Sequence, residues 1–366
     1  MTRGVFSKNG LQSLFASKRL LALSGFEEKH VSSASVDLTT TGEAFRVERL
    51  LTPSQLTNEK VRELLPKMGA TPISVGSVME VGCTYIVKAS LDINFPPGMY
   101  GYLNAKSTSG RNFLFVRSIA DGVHMFDCVD KRREGYSGEL WIVLQPLAYP
   151  IVLTNKECYN QLRVFDGDTR FRQSDLEGLL QTSDLLYRRD TTPYKQGELS
   201  LFTHDGSVLC TLYAKPNEII GYKAKKTTKP LDLSFRGVNP REYFEPVYAE
   251  CLHNESEGVV HVESGRYYLL ATNEALRIPE HTSAELKALD TRLGFFFTHF
   301  AGFFDPGFFG TATLEVFAPH DEFLRHKKPI ARFEFERLKE QTVSYALSGN
   351  YEGQIKTQLP KQFTSW

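Results

Sequence analysis

The sequence predicts an all-β chain with minor α content, built from two copies of one domain. Many apolar segments are short, rich in β-branched and aromatic residues, and bounded by Gly, Pro, Asn or Asp, which is typical of an antiparallel barrel or sandwich. The stretch from Val81 (VGCTYIVKAS) is similar to the stretch from Glu263 (ESGRYYLLAT). Matching residues lie 183 positions apart: Gly82 with Gly265, and Pro96 with Pro279. A duplicated domain is the economical explanation.

Helices are expected at two places, and strands account for most of the rest. After Ser7, the spacing predicts an opening helix with the apolar residues Leu11, Leu14 and Phe15. Ser54 is predicted to cap a second helix, which Pro66 ends. The clearest predicted strands are YIVKASLDI from Tyr85, ELWIVLQ from Glu139, YPIVL from Tyr149, GRYYLLAT from Gly265 and TATLEVF from Thr311. Pro-Gly turns are expected at 96–98 and 305–307.

Length and composition favour two globular domains. The 366 residues are 41% hydrophobic, enough for two cores, and we place the domains at 1–200 and 201–366, with the joint between about 195 and 230. The 43 basic and 43 acidic residues balance, so no bulk attraction to nucleic acid or to a membrane surface is expected. The five cysteines are scattered and never form a C-x-x-C pair, which favours a reducing cytoplasm and disfavours structural zinc. The apolar run 20–23 is too short for a signal peptide.

The two copies have lost opposite parts of one sequence signature. Copy one keeps the serine-rich stretch KSTSGR (106–111), which is shortened to ALDTR (288–292) in copy two. Copy two keeps GFFDPGFFGTATLEV (302–316), where copy one has a longer, altered segment in which Gln145 is taken to match Glu315. Each copy therefore retains half of a predicted site.

Each half has a plain structural interpretation beside the functional one. Ser/Thr/Gly loops often only connect elements, although their backbone N–H groups and an arginine suit phosphate oxygens. A glutamate at the end of an apolar strand is usually a solvated surface residue. Zinc-dependent nucleobase deaminases carry a combined H-x-E and P-C-x-x-C signature, and this chain lacks that signature because it has no P-C-x-x-C.

Five segments together resemble the dCTP deaminase family of the trimeric dUTPase-like superfamily. They occur in the family's order: VSSASVDLTTTGEAFRV (31–47), KSTSGRNFLF (106–115), PIVLTNKECYNQLRVF (150–165), GFFDPGFFGTATLEV (302–316) and NYEGQ (350–354). The long, duplicated bacterial members are the most similar. The resemblance implies tandem β-clip or distorted jelly-roll barrels, hydrolytic deamination of dCTP to dUTP, and no metal at the reacting carbon. Mg²⁺ is expected only with the nucleotide triphosphate.

The resemblance also implies roles for individual residues. Glu315 would be the general base, and Ser107 and Arg111 would reach the cytosine base and its attacking water. Asp305 would face the deoxyribose, where Phe303 or Phe304 would exclude a 2′-hydroxyl. The further substrate-binding residues would be Lys106, Thr108, Ser109, Gly110, Ala301, Thr313, Leu314, Tyr345 and Gln354.

The chain departs from the family pattern at two places. The run before Ala301 lacks the usual hydroxyl, and its His299 is interpreted as a packed residue. The tail has Asn350 where relatives carry a phosphate-facing lysine.

The complementary loss predicts how the halves combine. In the superfamily, the serine-rich loop of one barrel and the Asp-Pro-Gly strand of a neighbour face one nucleotide, so KSTSGR of copy one is expected to meet the Glu315 strand of copy two. The opposite pairing, with Asp290, Arg292 and Gln145, lacks serine and glutamate and is expected to be inactive. A homo-oligomer is expected.

Two alternatives to a dCTP deaminase stay open at this point. In a dUTP diphosphatase, or a bifunctional enzyme, the aspartate of the Asp-Pro-Gly turn would activate water at the α-phosphate. A degenerate, non-catalytic regulator would bind a nucleotide without turnover.

Overall fold

The computed structural model describes residues 3–195, 198, 206–251, 258–287, 297–298 (backbone only), 301–342, 351 and 353–366. The helices are α1 Lys8–Ala16, α2 Val61–Leu64, α3 Ser107–Arg111 and α4 Gln173–Thr182, with short 3-10 turns at Glu28–His30 and Pro240–Glu242. The first strands are β1 Gly4–Val5, β2 Leu20–Ala22, β3 Val36–Leu38, β4 Thr40–Val47, β5 Thr71–Ile73, β6 Val78–Met79, β7 Thr84–Phe95, β8 Met99–Ala105, β9 Leu114–Ala120, β10 Cys128–Val129, β11 Tyr136–Pro146, β12 Ile151–Val152 and β13 Asn160–Asp166. The later strands are β14 Leu186–Tyr187, β15 Ser207–Thr211, β16 Ile219–Ala224, β17 Leu231–Asp232, β18 Phe244–Tyr248, β19 Glu250–Cys251, β20 Gly258–Val262, β21 Arg266–Arg277, β22 Thr282–Lys287, β23 Phe297–Thr298, β24 Phe303–Phe304, β25 Phe309–Ala318, β26 Glu322–Arg325 and β27 Pro329–Arg337.

The chain divides into two compact units. Unit 1 contains Met1–Thr169, Thr227–Val238 and Leu338–Thr342, and unit 2 contains Arg170–Lys226, Asn239–Arg337 and Val343–Trp366. The sequence places the division between residues 200 and 201. The compact units divide after Thr169, and two later segments pack with unit 1. In one of them, β17 pairs in parallel with β12.

Within the described residues, each unit contains two larger sheets and one three-stranded sheet. In unit 1 the orders are β5-β4-β7-β11-β9, with β2 on β7, and β1-β13-β8-β10, with β3 on β13. In unit 2 the orders are β18-β16-β21-β25-β23, with β14 on β21, and β15-β27-β22-β24. The small sheets are β17-β12-β6 and β19-β20-β26. The predicted all-β class with minor helix is confirmed, and the strands expected from the apolar segments are present.

The duplication is visible in matching hydrogen bonds. In unit 1 the backbone N–H of Glu80 donates to the hydroxyl of Tyr85 at 2.9 Å. In unit 2 the backbone N–H of Glu263 donates to the hydroxyl of Tyr268 at 2.8 Å. Donors and acceptors are again 183 positions apart, so the two copies share local geometry as well as sequence.

The opening helix is confirmed as α1, whereas the second helix is shorter than predicted. It begins at Val61, and Ser54 lies outside it. The N–H of Val61 donates to the Asp121 carboxylate at 2.8 Å, and that carboxylate also accepts from the N–H of Glu139 at 2.9 Å. A distant aspartate therefore satisfies the start of this helix, which local sequence could not indicate. None of the helices in the described ranges is long and apolar enough to cross a membrane.

Unit 1 is expected to lose stability in mild acid because of His30. This side chain is buried, and its Nδ1 accepts from the backbone N–H of Glu27 at 3.0 Å. Burial lowers the pKa of His30, so the folded chain keeps it neutral where an unfolded chain binds a proton. Its contribution to stability is present above about pH 6.5 and is lost as the pH falls, by at most about 1.4 kcal/mol per pH unit.

Urea unfolding at about pH 7.5 and about pH 5.5 measures this effect. The His30→Gln variant keeps an acceptor without titrating and should lose less stability on acidification. An equal loss in both proteins would rule out His30 as the source.

Candidate active site

One face of β25 carries a buried polar stripe in unit 2. Side chains alternate along a strand, so Thr311, Thr313 and Glu315 share a face. All three are buried, and Glu315 is only 1% exposed. The alternate residues lie in the hydrophobic core of the unit: Ala312, Leu314 and Val316. Leu314 therefore points away from the Glu315 face.

The Glu315 carboxylate lies beside a second buried polar group. Glu315 pairs with Leu269 of β21, and Thr313 pairs with Ala271. Thr313 is 5% exposed, and among the described residues its hydroxyl has no hydrogen-bond partner. Burying a hydroxyl without a partner is costly, so an orphaned hydroxyl beside a buried carboxylate is typical of a site that receives a ligand.

The C-terminal tail joins this face through Gln354. The N–H of Thr311 donates to the carbonyl of Gln354 at 2.8 Å, and the Gln354 amide donates to the carbonyl of Thr311. Gly353 donates to the carbonyl of Phe309 at 2.8 Å. A Cβ at Gly310, whose φ is +150°, would lie 2.8 Å from the carbonyl oxygen of Gln354, so glycine permits the close approach. Gln354 is thus hydrogen-bonded to the strand that carries Glu315, and its contact with the substrate stays a prediction.

The predicted Asp-Pro-Gly turn is present directly before β25. Gly307 has φ +82°, and the N–H of Phe308 donates to the carbonyl of Asp305 at 3.2 Å. Phe304 packs between Phe308 and Phe333, with ring centroids 5.0 and 5.1 Å away. Two phenylalanines are candidates for excluding a 2′-hydroxyl, Phe303 and Phe304. Because the ring of Phe304 packs against the core of unit 2, Phe303 is the better candidate.

Ala301 is buried at the start of the segment that leads to β24. Four other residues of the sequence prediction lie outside the described residues: Asp290, Arg292, His299 and Tyr345.

The serine-rich stretch of unit 1 forms the short helix α3 instead of an open loop. The N–H of Gly110 donates to the carbonyl of Lys106 at 3.0 Å. The Ser109 hydroxyl donates to the carbonyl of Tyr159 at 3.1 Å, and the Thr108 carbonyl accepts from Asn112 at 2.7 Å. The chain thus uses several polar groups of this stretch internally. Ser107, the first residue of the helix, is half-buried.

Lys106 connects three of the sequence segments that carry the resemblance. Its ammonium group lies 2.8 Å from the carboxylate of Asp37, which belongs to β3, and 3.5 Å from the amide oxygen of Gln161 in β13. Two residues further along β13, the fully buried Arg163 donates to the side-chain oxygen of Asn104 at 3.1 Å.

Sequence reasoning missed Asp37, Gln161 and Arg163 as members of this cluster. Their presence inside the motifs 31–47 and 150–165 was the available signal. Arg111 is also buried in unit 1. The predicted site residues therefore fall into two groups, 106–111 in unit 1 and 301–354 in unit 2, and their meeting at one nucleotide stays a prediction of the sequence pattern.

The position in copy one that matches Glu315 can be read from the strands. The N–H of Gly82 donates to the carbonyl of Pro146 at 2.9 Å, and the N–H of Gly265 donates to the carbonyl of Ala318 at 2.7 Å. Since the two glycines are equivalent, Pro146 and Ala318 are equivalent as well.

Counting back from these anchors, Val143 is the equivalent of Glu315. The register agrees, because Val143 pairs with Ile86 and Glu315 pairs with Leu269, which lies 183 positions after Ile86. The predicted match of Glu315 with Gln145 is therefore wrong by two residues. Pairing in a sheet fixes equivalence through backbone hydrogen bonds, which a comparison of strand ends in the sequence does not show.

The equivalent face in unit 1 is closed by apolar side chains. Val143 is 1% exposed and shares its face with Trp141, the equivalent of Thr313. Residues of α2 and the turn after it complete the cluster: Val61, Leu64, Leu65 and Met68. Copy one thus has no carboxylate and no open polar face at this position, so the loss in copy one is more complete than the sequence indicated.

The fold and the site define a class, a duplicated β-rich protein with a buried carboxylate, Glu315, beside a buried hydroxyl on a sheet of its second unit. Within the described ranges, no three His, Cys, Asp or Glu residues lie together so as to hold a metal ion.

Comparisons with known proteins agree on a family. The model of the 2′-deoxycytidine 5′-triphosphate deaminase (DCD) N-terminal domain matches residues 2–168, and that of the C-terminal domain matches residues 181–363. The chain therefore belongs to the 2′-deoxycytidine 5′-triphosphate deaminase family, and its fold is dUTPase-like.

A solved structure is similar over the whole length. The crystal structure of 2′-deoxycytidine 5′-triphosphate deaminase from Agrobacterium tumefaciens matches with a TM-score of 0.82 and 26% sequence identity. The match covers 96% of this chain and 99% of that chain. A search of curated proteins found no match.

Proposed function

We propose that this chain deaminates dCTP hydrolytically, giving dUTP and ammonia. The observation that carries the proposal is the buried Glu315 carboxylate beside the Thr313 hydroxyl, which has no partner among the described residues, on a strand that the tail residue Gln354 contacts. Membership of the family supplies the substrate. A buried carboxylate that accepts a proton and returns it supplies the catalysis that this reaction needs.

The proposed reaction is balanced with water as the only co-substrate. Water attacks C4 of cytosine, N3 takes up a proton, and the exocyclic amine leaves as ammonia. Glu315 accepts one proton from the water and delivers it to N3, and it then moves the remaining proton, on the new C4 hydroxyl, to the departing amine as the C4–N bond breaks and the carbonyl forms. We assign Ser107 and Arg111 to the cytosine base and its attacking water, as the resemblance implies.

The triphosphate is assigned to the cluster in unit 1. Lys106 brings a positive charge, and its ion pair with Asp37 fixes the direction of the side chain. The Ser109 hydroxyl and the Gly110 N–H are bonded within unit 1, so we assign the polar contacts with the phosphate oxygens to Ser107 and Thr108 beside Lys106. Mg²⁺ is proposed to arrive with the nucleotide, since phosphate oxygens are its preferred ligands.

The substrate is tested by incubating the purified chain separately with dCTP, dCMP, CTP and dUTP and separating the products. We expect dUTP and ammonia from dCTP, turnover that a zinc chelator does not reduce, and poor turnover of CTP because Asp305 and Phe303 face the sugar. Equal efficiency on CTP and dCTP would remove that role for Asp305.

The same experiment distinguishes the alternatives. Release of pyrophosphate from dUTP would assign a diphosphatase or a bifunctional enzyme. Binding of dCTP without any product would assign a non-catalytic regulator. A requirement for stoichiometric protein-bound zinc would contradict the metal-free step.

A further inference from the structure

The C-terminal tail lies along the sheet face that carries Glu315. Residues directly opposite each other in antiparallel strands share a face, so Tyr222, which pairs with Leu269, is on the same face as Glu315. The ring of Trp366 lies 5.6 Å from the ring of Tyr222. Between these ends, the hydroxyl of Thr357 donates to the carbonyl of Ile220 at 2.7 Å. The tail is therefore attached to the sheet that carries Glu315 at Gly353, Gln354, Thr357 and Trp366.

Arg189 holds the tail at the point where it reaches the Glu315 strand. Its guanidinium donates to the carbonyl of Ile355, the residue after Gln354. A second nitrogen donates to the carbonyl of Thr272 at 3.1 Å. One side chain thus joins the tail to β21.

The second attachment point is a β-bulge next to Thr313. The register of β21 against β25 shifts between Ala271 and Ala275, and Ala271 is the partner of Thr313. Within the bulge, the Thr272 hydroxyl accepts from the N–H of Ala312 at 2.9 Å and donates to the carbonyl of Glu274 at 2.7 Å. These bonds make the bulge a fixed support beside the buried polar stripe.

The surroundings of Arg189 favour a planar cation. The guanidinium carbon lies 3.4 Å from the ring centroid of Tyr213, whose hydroxyl donates to Glu218 at 2.7 Å. Burial lowers the pKa of Arg189 to about 10, so the side chain stays charged at neutral pH. A guanidinium can stack flat on the ring and donate from its edge to two carbonyls at once, whereas a lysine ammonium is not planar and has no such edge.

We propose that Arg189 is a positioning residue for the C-terminal tail. By fixing the carbonyl of Ile355 against the bulge, it places Gln354 on Thr311 at the start of the strand that carries Thr313 and Glu315. This role deepens the proposed function and rests on it for its effect on turnover. Its effect on the tail does not depend on any activity.

The test compares Arg189→Ala with Arg188→Ala in the full chain. Arg188 is a matched control, because it pairs with Glu198 at 2.8 Å and lies over the ring of Tyr194. Hydrogen exchange measured by mass spectrometry follows the N–H groups of Thr311 and Gly353, which bond across the contact between tail and strand. Steady-state kinetics with dCTP gives kcat and KM.

Arg189→Ala should speed exchange at Thr311 and Gly353 by about 10-fold or more, because two hydrogen bonds to a charged group are lost. It should raise KM for dCTP more than it lowers kcat, and Arg188→Ala should change neither measurement. Arg189→Lys, which keeps the charge but not the double contact, should fall between wild type and Arg189→Ala.

Unchanged exchange in folded Arg189→Ala, or an equal change in Arg188→Ala, would overturn the assignment. If Arg189→Ala does not fold, the exchange rates of Arg189→Lys provide the test. Exchange at the wild-type rate in Arg189→Lys would then overturn the assignment of Arg189 as a positioning residue. Faster exchange in a chain that does not deaminate dCTP would leave the role of Arg189 in place and refute the proposed function instead.

Discussion

Glu315→Gln should reduce turnover of dCTP by about 100- to 10,000-fold, the usual contribution of a general base. Glutamine has nearly the same shape and keeps hydrogen-bonding atoms, but it does not accept a proton at neutral pH. Because the side chain is buried, bulk water cannot readily replace the lost base. Affinity for dCTP should stay close to wild type. Single-turnover kinetics and equilibrium binding of dCTP measure the two quantities separately.

The matched control is Glu245→Gln, on β18 of the same sheet. Glu245 is partly exposed and pairs with Lys223 at 3.1 Å, so the same chemical change there should leave turnover near wild type. Near-normal turnover in folded Glu315→Gln would remove Glu315 as the base. A parallel loss of dCTP binding would make it a binding residue instead.

Val143→Glu should destabilise unit 1 by about 3–5 kcal/mol, the cost of an unpaired charge in an apolar interior. Val143 is 1% exposed and belongs to an apolar cluster with Trp141, Val61 and Met68. Gln145→Glu is the matched change two residues along the same strand. Gln145 is only half-buried, and its amide donates to the carbonyl of Gly82 at 2.9 Å, so the loss should be about 1.5 kcal/mol or less.

Urea unfolding of both variants measures the difference. A larger loss in Gln145→Glu than in Val143→Glu would contradict the equivalence of Val143 with Glu315. Similar small losses would show that the apolar cluster of unit 1 accommodates a carboxylate.

The predictable part of the fold follows local chemistry. The alternation in TATLEVF places Thr313 and Glu315 on one face and Leu314 on the other, and the strand has that geometry. The Asp-Pro-Gly turn before it and the opening helix are equally local. The cap of α2 is not, because Asp121 lies 60 residues from Val61 in the chain.

The candidate site also has a part that the sequence predicts and a part that only the folded structure shows. Repeats at a spacing of 183 residues and the opposite losses in the two copies are properties of the sequence alone, and they single out Glu315 and the stretch 106–111. Other contacts join residues that are distant in sequence. Lys106 forms an ion pair with Asp37, and Arg189 contacts Ile355. No local sequence pattern predicts which polar residues will be in contact in the folded chain.

By itself, the sequence determined the class of fold, the duplication and the strand that carries the buried carboxylate, because periodicity and repeats need only near neighbours. Tertiary structure alone decided that Val143 is the counterpart of Glu315, that 227–238 and 338–342 belong to unit 1, and that Arg189 contacts the tail at Ile355. Strand register and the packing of distant segments depend on long-range backbone hydrogen bonds. Those bonds form only when the chain folds, so local sequence patterns do not show them.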